Sequence, residues 1–105
     1  MTPNPGDVYL VDLGMVAKAR LMVVVSRHDT DAPRALSLCV PFTTKNRGSK
    51  YEVAIGASSF FREASWANVQ GTMAVGNEKL LRRLGKLTVT QYSEVKAALR
   101  YALDL

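Results

Sequence analysis

The apolar residues of this chain occur in short runs rich in valine and leucine, and turn-forming residues separate each run from the next. Runs of this length and composition are typical of β-strands, because a helix of ordinary length needs a longer segment with a period near 3.6. The pattern predicts six strands, the last one weaker than the others, over residues 8–13, 21–26, 36–43, 51–55, 67–70 and 72–75. Because so many short strands would leave open edges, we expect them to curl into a small antiparallel β-barrel.

Helical signals occur only in the last third of the chain. Asn77 as a cap and Gly85 as a stop predict a short helix over residues 78–84. Thr88 and Gln91 have the spacing of a capping box, which predicts the start of a C-terminal α-helix. Apolar residues then recur at spacings of three and four, at Val89, Tyr92, Val95, Leu99 and either Ala102 or Leu103. We expect this stripe to pack on the barrel, and the alternative is that it binds a partner.

The positive charge of the chain is concentrated in one region. A length of 105 residues without repeats or linkers predicts a single domain over residues 1–105. Residues 18–50 contain seven basic and two acidic side chains, a surplus that equals the whole net charge of +5. A local positive field favours a polyanion such as nucleic acid or an acidic protein segment. The alternative is a basic surface that only confers solubility.

Cysteine and histidine occur once each, as Cys39 and His28. An internal disulfide is therefore excluded, and the chain lacks the ligand spacing of a metal site, so we predict no metal and no cofactor. Cys39 lies in an apolar run and is expected to be a buried thiol in a reducing compartment. With no signal-peptide pattern and no long apolar segment, the sequence predicts a cytoplasmic protein. His28 and Asp29 are adjacent in sequence and therefore cannot form two members of a catalytic triad.

Two segments carry residues suited to phosphate chemistry. Arg20 stands where a loop becomes a strongly apolar strand, so a rigid element holds a guanidinium that reaches solvent. The strand ending in Thr43 and Thr44 is followed at once by Lys45 and Arg47. An arginine with hydroxyl groups and backbone amides suits a phosphodiester, because the planar guanidinium donates two parallel hydrogen bonds to phosphate oxygens. The alternative is an arginine in a surface ion pair beside threonines that serve a turn.

Four segments occur together in a recognisable order. They are residues 6–9 (Gly-Asp-Val-Tyr), Arg20 ahead of a valine-rich strand, residues 41–44 (Pro-Phe-Thr-Thr), and residues 83–87 (Arg-Leu-Gly-Lys-Leu) ahead of the last helix. In this order and at these intervals, the chain from about residue 5 to residue 105 resembles the MazF/PemK toxins of bacterial toxin-antitoxin pairs. The resemblance implies an SH3-like barrel with a C-terminal helix. It also implies a homodimer that cleaves single-stranded RNA selectively by sequence, needs no metal and is neutralised by a cognate antitoxin.

The resemblance also implies roles for individual residues. Arg20 and Thr43 match the catalytic pair, in which the arginine stabilises charge on the phosphoryl oxygens and donates a proton to the leaving oxygen, while the threonine orients the phosphate. The residues expected to bind RNA are Lys18, Thr44, Lys45, Arg47 and Gln70. Many members have an aspartate just before the matching glutamine, where this chain has Val69 preceded by Asn68. The general base is therefore left unassigned.

Two functions of other classes remain open at this point. A related group of toxins shares the barrel but binds DNA gyrase, and fold alone does not separate the two groups. The other alternative is an RNA-binding barrel without catalysis. Arg20 and Thr43 favour the nuclease, because a gyrase-binding protein has no use for a pair that grips phosphate.

Overall fold

The computed structural model of the protein describes residues 2–14, 18–56 and 60–105. These residues form seven strands and one α-helix: β1 (Asp7–Asp12), β2 (Ala19–Val24), β3 (Leu36–Thr43), β4 (Glu52–Ala54), β5 (Trp66–Asn68), β6 (Met73–Gly76), β7 (Leu80–Lys86) and α1 (Val89–Leu103). Single 3₁₀ turns lie at Val69–Gly71 and Asn77–Lys79. In the part of the chain that the structure describes, no helix is long and apolar enough to cross a membrane.

The strands pair in antiparallel fashion throughout the described sheet. Their order is β4-β5-β3-β2-β1-β7, and β6 pairs with the first half of β3. The 3₁₀ turn at Asn77–Lys79 joins β6 to β7, so the sheet curls round on itself. The predicted barrel with a C-terminal helix is confirmed as the architecture, although no ladder of hydrogen bonds closes the sheet among the described residues.

The central strands are buried on both faces. Because successive side chains of a strand point to opposite faces, neighbouring residues enter different cores. Val8, Val23 and Val40 belong to the cluster that packs against α1. Tyr9 and Met22 belong to a second cluster that also contains the thiol of Cys39. The predicted burial of Cys39 is confirmed, and burial raises the pKa of this thiol to about 11.

The helix predicted over residues 78–84 is wrong. After the 3₁₀ turn at Asn77–Lys79 the chain forms β7, which pairs with β1. The physical reason is non-local: Asp7 on β1 is 2% exposed, and its Oδ1 lies 3.1 Å from Nε of Arg83. A buried carboxylate needs such a partner, and the strand conformation supplies it. Gly85 does not stop a helix, because it lies within β7 at a φ of +155°, where a side chain would meet the ring of Phe60.

The C-terminal helix begins as predicted. Oγ1 of Thr88 accepts a hydrogen bond from the Gln91 amide at 3.1 Å, and Oε1 of Gln91 accepts one from the Thr88 amide at 2.9 Å. The stripe packs on the sheet through the residues that the α1-facing core buries wholly or in part, which are Tyr92, Val95, Ala98, Leu99 and Ala102. Val89 is exposed instead, so this residue was wrongly assigned to the packed stripe. Of the two alternatives at the end of the stripe, Ala102 packs on the core and Leu103 is exposed.

Candidate active site

The candidate site is built around the residue where β3 exchanges partners. The first part of β3 pairs with β6, and its last two residues, Phe42 and Thr43, pair with β5. Pro41 lies between these parts and has no amide hydrogen to donate to either neighbour. The ladder between β2 and β3 also ends at the pair of Met22 and Pro41. Beyond Pro41 the described ends of β2 and β3 are therefore not joined by backbone pairing.

Arg20 occupies the space between these two strand ends. Its side chain leaves β2 and donates a hydrogen bond from Nη2 to the backbone carbonyl oxygen of Phe42 at 2.8 Å. The residue remains exposed, so its other guanidinium donors are accessible to a ligand. One nitrogen of the planar group is thus held by the main chain, while the residue as a whole faces solvent.

A shallow depression of about 160 Å³ surrounds Arg20. We call it the strand-end depression, and it is lined by Arg20, Leu21, Phe42, Thr43, Thr44, Phe61 and Ser65. The structure therefore brings together the two residues predicted to be catalytic and one of those predicted to bind RNA. A guanidinium and two threonine hydroxyl groups give the depression several hydrogen-bond donors.

Thr43 is held in a defined orientation at the depression. Its Oγ1 accepts a hydrogen bond from the Lys45 amide at 3.1 Å, which is a local turn of the kind that threonine favours. A hydroxyl group that accepts one bond keeps its own hydrogen to donate. Thr43 therefore stabilises a turn, as the alternative interpretation of the sequence held. This role is compatible with the donation of a hydrogen bond from the same hydroxyl to a ligand.

The basic residues that follow Thr44 lie on a loop, residues 45–50, which we call the basic loop. The carboxylate of Glu52 accepts hydrogen bonds from the Arg47 amide at 3.2 Å, the Ser49 amide at 3.1 Å and the Ser49 hydroxyl at 2.8 Å. The Ser49 hydroxyl, aided by these two amides, holds the pKa of the Glu52 carboxyl below its ordinary value. One ionised carboxylate thus shapes the loop that presents Lys45 and Arg47 to solvent.

Lys18 and Gln70 lie outside the strand-end depression. Lys18 is exposed just before β2, and its backbone has a φ of +59° and bonds to Gly14 and Leu13. Gln70 is exposed on the 3₁₀ turn that follows β5. That turn packs closely on Pro41, because a side chain at Gly71 would come within 2.7 Å of the proline ring. Gln70 therefore lies near the point where β3 exchanges partners.

The positions before Gln70 do not supply a general base. Val69 is buried in the α1-facing core. Oδ1 of Asn68 accepts a hydrogen bond from the Gln70 amide at 3.2 Å, so the asparagine caps the 3₁₀ turn. The described residues that line the strand-end depression also include no histidine and no carboxylate.

Other chemically suggestive features lie elsewhere. Nδ1 of His28 is 3.3 Å from the carbonyl oxygen of Pro3, and His28 is absent from the lining of the strand-end depression. Across residues 2–14, 18–56 and 60–105, no group of three potential metal-ligating side chains comes together. A larger depression of about 360 Å³ lies between the N-terminal segment and the β2–β3 connection, and none of the predicted site residues lines it.

Sequence reasoning missed Phe61, Ser65 and Glu52. Phe61 and Ser65 reach the strand-end depression because residues 60–65, ahead of β5, lie against the end of β3. The consecutive aromatic residues Phe60 and Phe61 were an available signal, because two large apolar rings in a polar connection are unusual. Glu52 gave no signal, since a carboxylate next to a basic stretch is a common arrangement.

Comparisons with known proteins agree with this arrangement. A family model described as "PemK-like, MazF-like toxin of type II toxin-antitoxin system" matches residues 4–103. No significant match is found among curated proteins. Among solved structures, a mycobacterial endoribonuclease in complex with its cognate antitoxin is 29% identical, with a TM-score of 0.85 over 98% of this chain and 96% of the other.

Two further structures extend the likeness. A mycobacterial endoribonuclease is 28% identical, with a TM-score of 0.81 over 98% of this chain and 92% of the other. MazF in a MazE-MazF structure from Deinococcus radiodurans is 15% identical, with a TM-score of 0.80 over 100% of this chain and 98% of the other. The last likeness concerns the fold alone.

Proposed function

Because the chain belongs to the family of PemK-like, MazF-like toxins of type II toxin-antitoxin systems, we propose that it is a sequence-selective endoribonuclease that cleaves single-stranded RNA without a metal ion. The observation that carries this proposal is the guanidinium of Arg20, which the Phe42 carbonyl holds at 2.8 Å beside the hydroxyl of Thr43 in an open depression. Donors fixed in advance around developing charge are commonly the largest contribution to catalysis. The similar mycobacterial structures are endoribonucleases, which supports the same reaction here.

The reaction is a transfer of the phosphoryl group within the RNA. The 2′-oxygen attacks the adjacent phosphorus as its proton is released, the bond from phosphorus to the 5′-oxygen breaks, and the leaving oxygen takes up a proton. The products are a 2′,3′-cyclic phosphate and a free 5′-hydroxyl. Arg20 donates hydrogen bonds to the non-bridging oxygens and assists the leaving oxygen, while Thr43 orients the phosphate. Single strands are favoured because in-line attack needs an unstacked nucleotide.

Residues at the rim of the depression and around it hold the flanking RNA backbone. Lys18, Lys45 and Arg47 are exposed and cationic, and they follow or precede the two strand ends that carry Arg20 and Thr43. Thr44 and Gln70 are exposed nearby and offer neutral donors. Phosphate contacts of this kind supply affinity and position the strand, while the reacting groups determine the rate.

The test is incubation of the purified protein with RNA of mixed sequence in EDTA, followed by mapping of the ends. We expect cuts at a restricted set of sequences, with cyclic phosphate on one side and 5′-hydroxyl on the other. The Arg20→Ala variant, purified in parallel, is the control for contaminating nuclease. Binding without any cut would instead favour the RNA-binding barrel, and cuts that disappear in EDTA would contradict the metal-independent mechanism.

We further propose that the toxin is a cytoplasmic homodimer. The apolar side chains of Leu36, Leu38, Met73, Leu103 and Leu105 are between 43% and 86% exposed. Leu38, Leu103 and Leu105 line one depression together with Val25 and Leu99. Burial of such a patch against a second copy would remove it from water. Light scattering at micromolar concentration should give twice the chain mass, Leu38→Asp should give a folded monomer, and a monomeric parent would contradict the proposal.

The cognate antitoxin is expected to compete with RNA. The chain carries a net charge of +5, and the whole of this surplus falls in residues 18–50, so an acidic segment that folds on docking suits the same surface. The antitoxin present with the similar mycobacterial structure supports a protein partner of this kind. Addition of the antitoxin should displace labelled RNA, whereas tight binding of both ligands at once would contradict a shared site.

A further inference from the structure

Phe61 is an aromatic residue in the wall of a depression that also presents the polar side chains of Arg20, Thr43, Thr44 and Ser65. It lines the strand-end depression together with Arg20 and Thr43, and it is only partly buried. Phe61 packs against the α1-facing core, yet part of its large apolar ring stays exposed beside a guanidinium and two hydroxyl groups. The position suits a ligand that has an apolar flat surface next to an anionic group.

The ring of Phe61 is held by its neighbours. Its centroid lies 4.8 Å from that of Phe42, with an angle of 63° between the rings, and 6.0 Å from that of Phe60. Edge-to-face contacts of this kind are favourable and orient an aromatic side chain. The ring is therefore held at the depression before a ligand arrives, so binding requires less ordering of this side chain.

Phe42 connects this ring to the predicted catalytic arginine. Its backbone carbonyl oxygen accepts the hydrogen bond from Arg20, and its side chain makes the edge-to-face contact with Phe61. The guanidinium and the aromatic ring are thus both held by one residue of β3. A nucleotide consists of a phosphate joined to a flat base, and this pair of groups matches both parts of it.

We propose that Phe61 is a substrate-positioning residue on which a nucleobase adjacent to the scissile phosphate stacks while Arg20 holds that phosphate. This inference rests on the proposed endoribonuclease function and names the part of the substrate that the depression recognises beyond its phosphate. Stacking of bases on aromatic side chains contributes substantially to single-strand binding and tolerates different bases, because each base has a π-face. It positions the nucleotide for in-line attack.

The test uses the matched variants Phe61→Leu, Phe61→Trp and Phe60→Leu. Leucine keeps most of the apolar volume of phenylalanine but has no aromatic face, whereas tryptophan keeps an aromatic face on which a base can stack. Phe60 is the adjacent residue of the same type, packs over Gly85 on β7 and is absent from the lining of the strand-end depression. Thermal unfolding and circular dichroism compare the folding of all three variants with the parent.

The substrates are a short single-stranded RNA with one mapped cleavage site and two versions in which one base next to the scissile phosphate is absent but its ribose remains. For the parent, removal of one of these bases should lower kcat/KM by roughly tenfold, within the range expected for one stacked base. Phe61→Leu should show a similar loss on the intact RNA and little further loss on the abasic one. Phe61→Trp should restore most of the activity. Phe60→Leu removes one supporting ring but keeps the aromatic face of Phe61, so it should lose less activity than Phe61→Leu on the intact RNA and should keep the loss caused by removing the base.

The outcomes separate this inference from the proposed function. Suppose that Arg20→Ala is inactive but Phe61→Leu cleaves like the parent, or loses as much activity as the parent when the base is removed. The stacking proposal is then wrong, while the nuclease function is supported. If the parent cuts no RNA, the proposed function is wrong. Stacking can then still be tested by binding. The affinity for a uridine oligonucleotide is compared with that for its abasic counterpart, in the parent and in Phe61→Leu. If removal of the base weakens binding equally in both proteins, the stacking proposal is wrong.

Discussion

The strand-end depression and the basic loop adjoin each other in sequence but are held in different ways. In the depression, Arg20 projects from β2, is fixed by the main chain of β3 and lies beside the partly buried Thr43. In the basic loop, residues 45–50 are all exposed. Among the described hydrogen bonds, those to the carboxylate of Glu52 hold the backbone of this loop. The first region holds hydrogen-bond donors on β-strands, and the second presents positive charges on long, exposed lysine and arginine side chains.

This difference indicates that one small domain can control the rate of cleavage and the affinity for RNA through separate regions. Stabilisation of a transition state needs donors held in advance at fixed positions, so the strand-end depression should determine the rate of the chemical step. Neutralisation of an RNA backbone needs only charge close to phosphates, so the basic loop should determine affinity and its salt dependence. Substitutions in the two regions should therefore affect different measured quantities.

The largest expected effect is that of Arg20→Ala. Loss of a positioned donor to the phosphoryl group should lower the cleavage rate at saturating RNA by roughly two to five orders of magnitude. RNA affinity should stay within about tenfold of the parent, and folding should survive because the residue is exposed. Single-turnover kinetics together with a binding titration measure both quantities.

Two further variants sharpen the result for Arg20. Arg20→Lys keeps the charge but loses the planar group, so it should recover only a small part of the rate. His28→Ala should cleave like the parent, since His28 does not line the depression. Full activity of Arg20→Ala would show that the rate is determined elsewhere.

Thr43→Ala should have the next largest effect, a loss of about tenfold to a thousandfold in rate, in line with removal of one positioned donor. Thr43→Ser keeps the hydroxyl and should retain part of the activity. Thr44→Ala should be milder, because Thr44 is exposed and follows the end of β3. The same single-turnover assay checks the order of the three variants, and a larger loss for Thr44→Ala would place the essential hydroxyl one residue further along.

Removal of charge from the basic loop should change affinity rather than rate. If about four phosphates are neutralised, the logarithm of affinity should fall with the logarithm of salt concentration with a slope of roughly −2.8. Lys45→Ala combined with Arg47→Ala should weaken binding by about tenfold at physiological salt and reduce the slope to about −1.4. Binding titrations at several salt concentrations measure this, and a flat response of the parent would remove the electrostatic account of RNA binding.

Glu52→Gln should have the smallest effect, a loss of no more than about threefold in affinity, because the amide keeps one acceptor for the loop. In the parent, the lowered pKa of Glu52 means that its contribution to the folded loop is present above the ordinary carboxyl pKa and is lost as pH falls through the lowered value. An NMR titration of the Arg47 and Ser49 amides should follow this carboxyl. Chemical shifts of these amides that do not respond to pH would contradict the proposed stabilisation of the loop by the Glu52 carboxylate.

The parts of the fold that depend on local pattern were predictable from the sequence. The short apolar runs of β1, β2 and β3 and the capping box of α1 need only neighbours in sequence to be recognised. The strand β7 was not predictable in this way, because Leu80, Leu81 and Leu84 also fit a helical face. What selects the strand is its pairing with β1 and the ion pair between Arg83 and Asp7, which lie far apart along the chain.

The candidate site divides in the same manner. Arg20 and Thr43 were found because each is at a strand end that the sequence marks, and their order matches a known pattern. Phe61 and Ser65 were missed because their position at the end of β3 depends on tertiary packing. The bond from Arg20 to the Phe42 carbonyl was likewise not predictable, since it depends on where the β2–β3 ladder ends.

The most direct test of the central claim is a paired measurement of saturating cleavage rate and equilibrium affinity on one RNA for the parent, Arg20→Ala and the Lys45→Ala/Arg47→Ala double variant. The account predicts that Arg20→Ala loses at least about a hundredfold in rate and less than tenfold in affinity. The double variant should lose about tenfold in affinity with nearly parental rate at saturation. If the double variant lost the saturating rate while Arg20→Ala retained it, the assignment of chemistry to the strand-end depression would be contradicted.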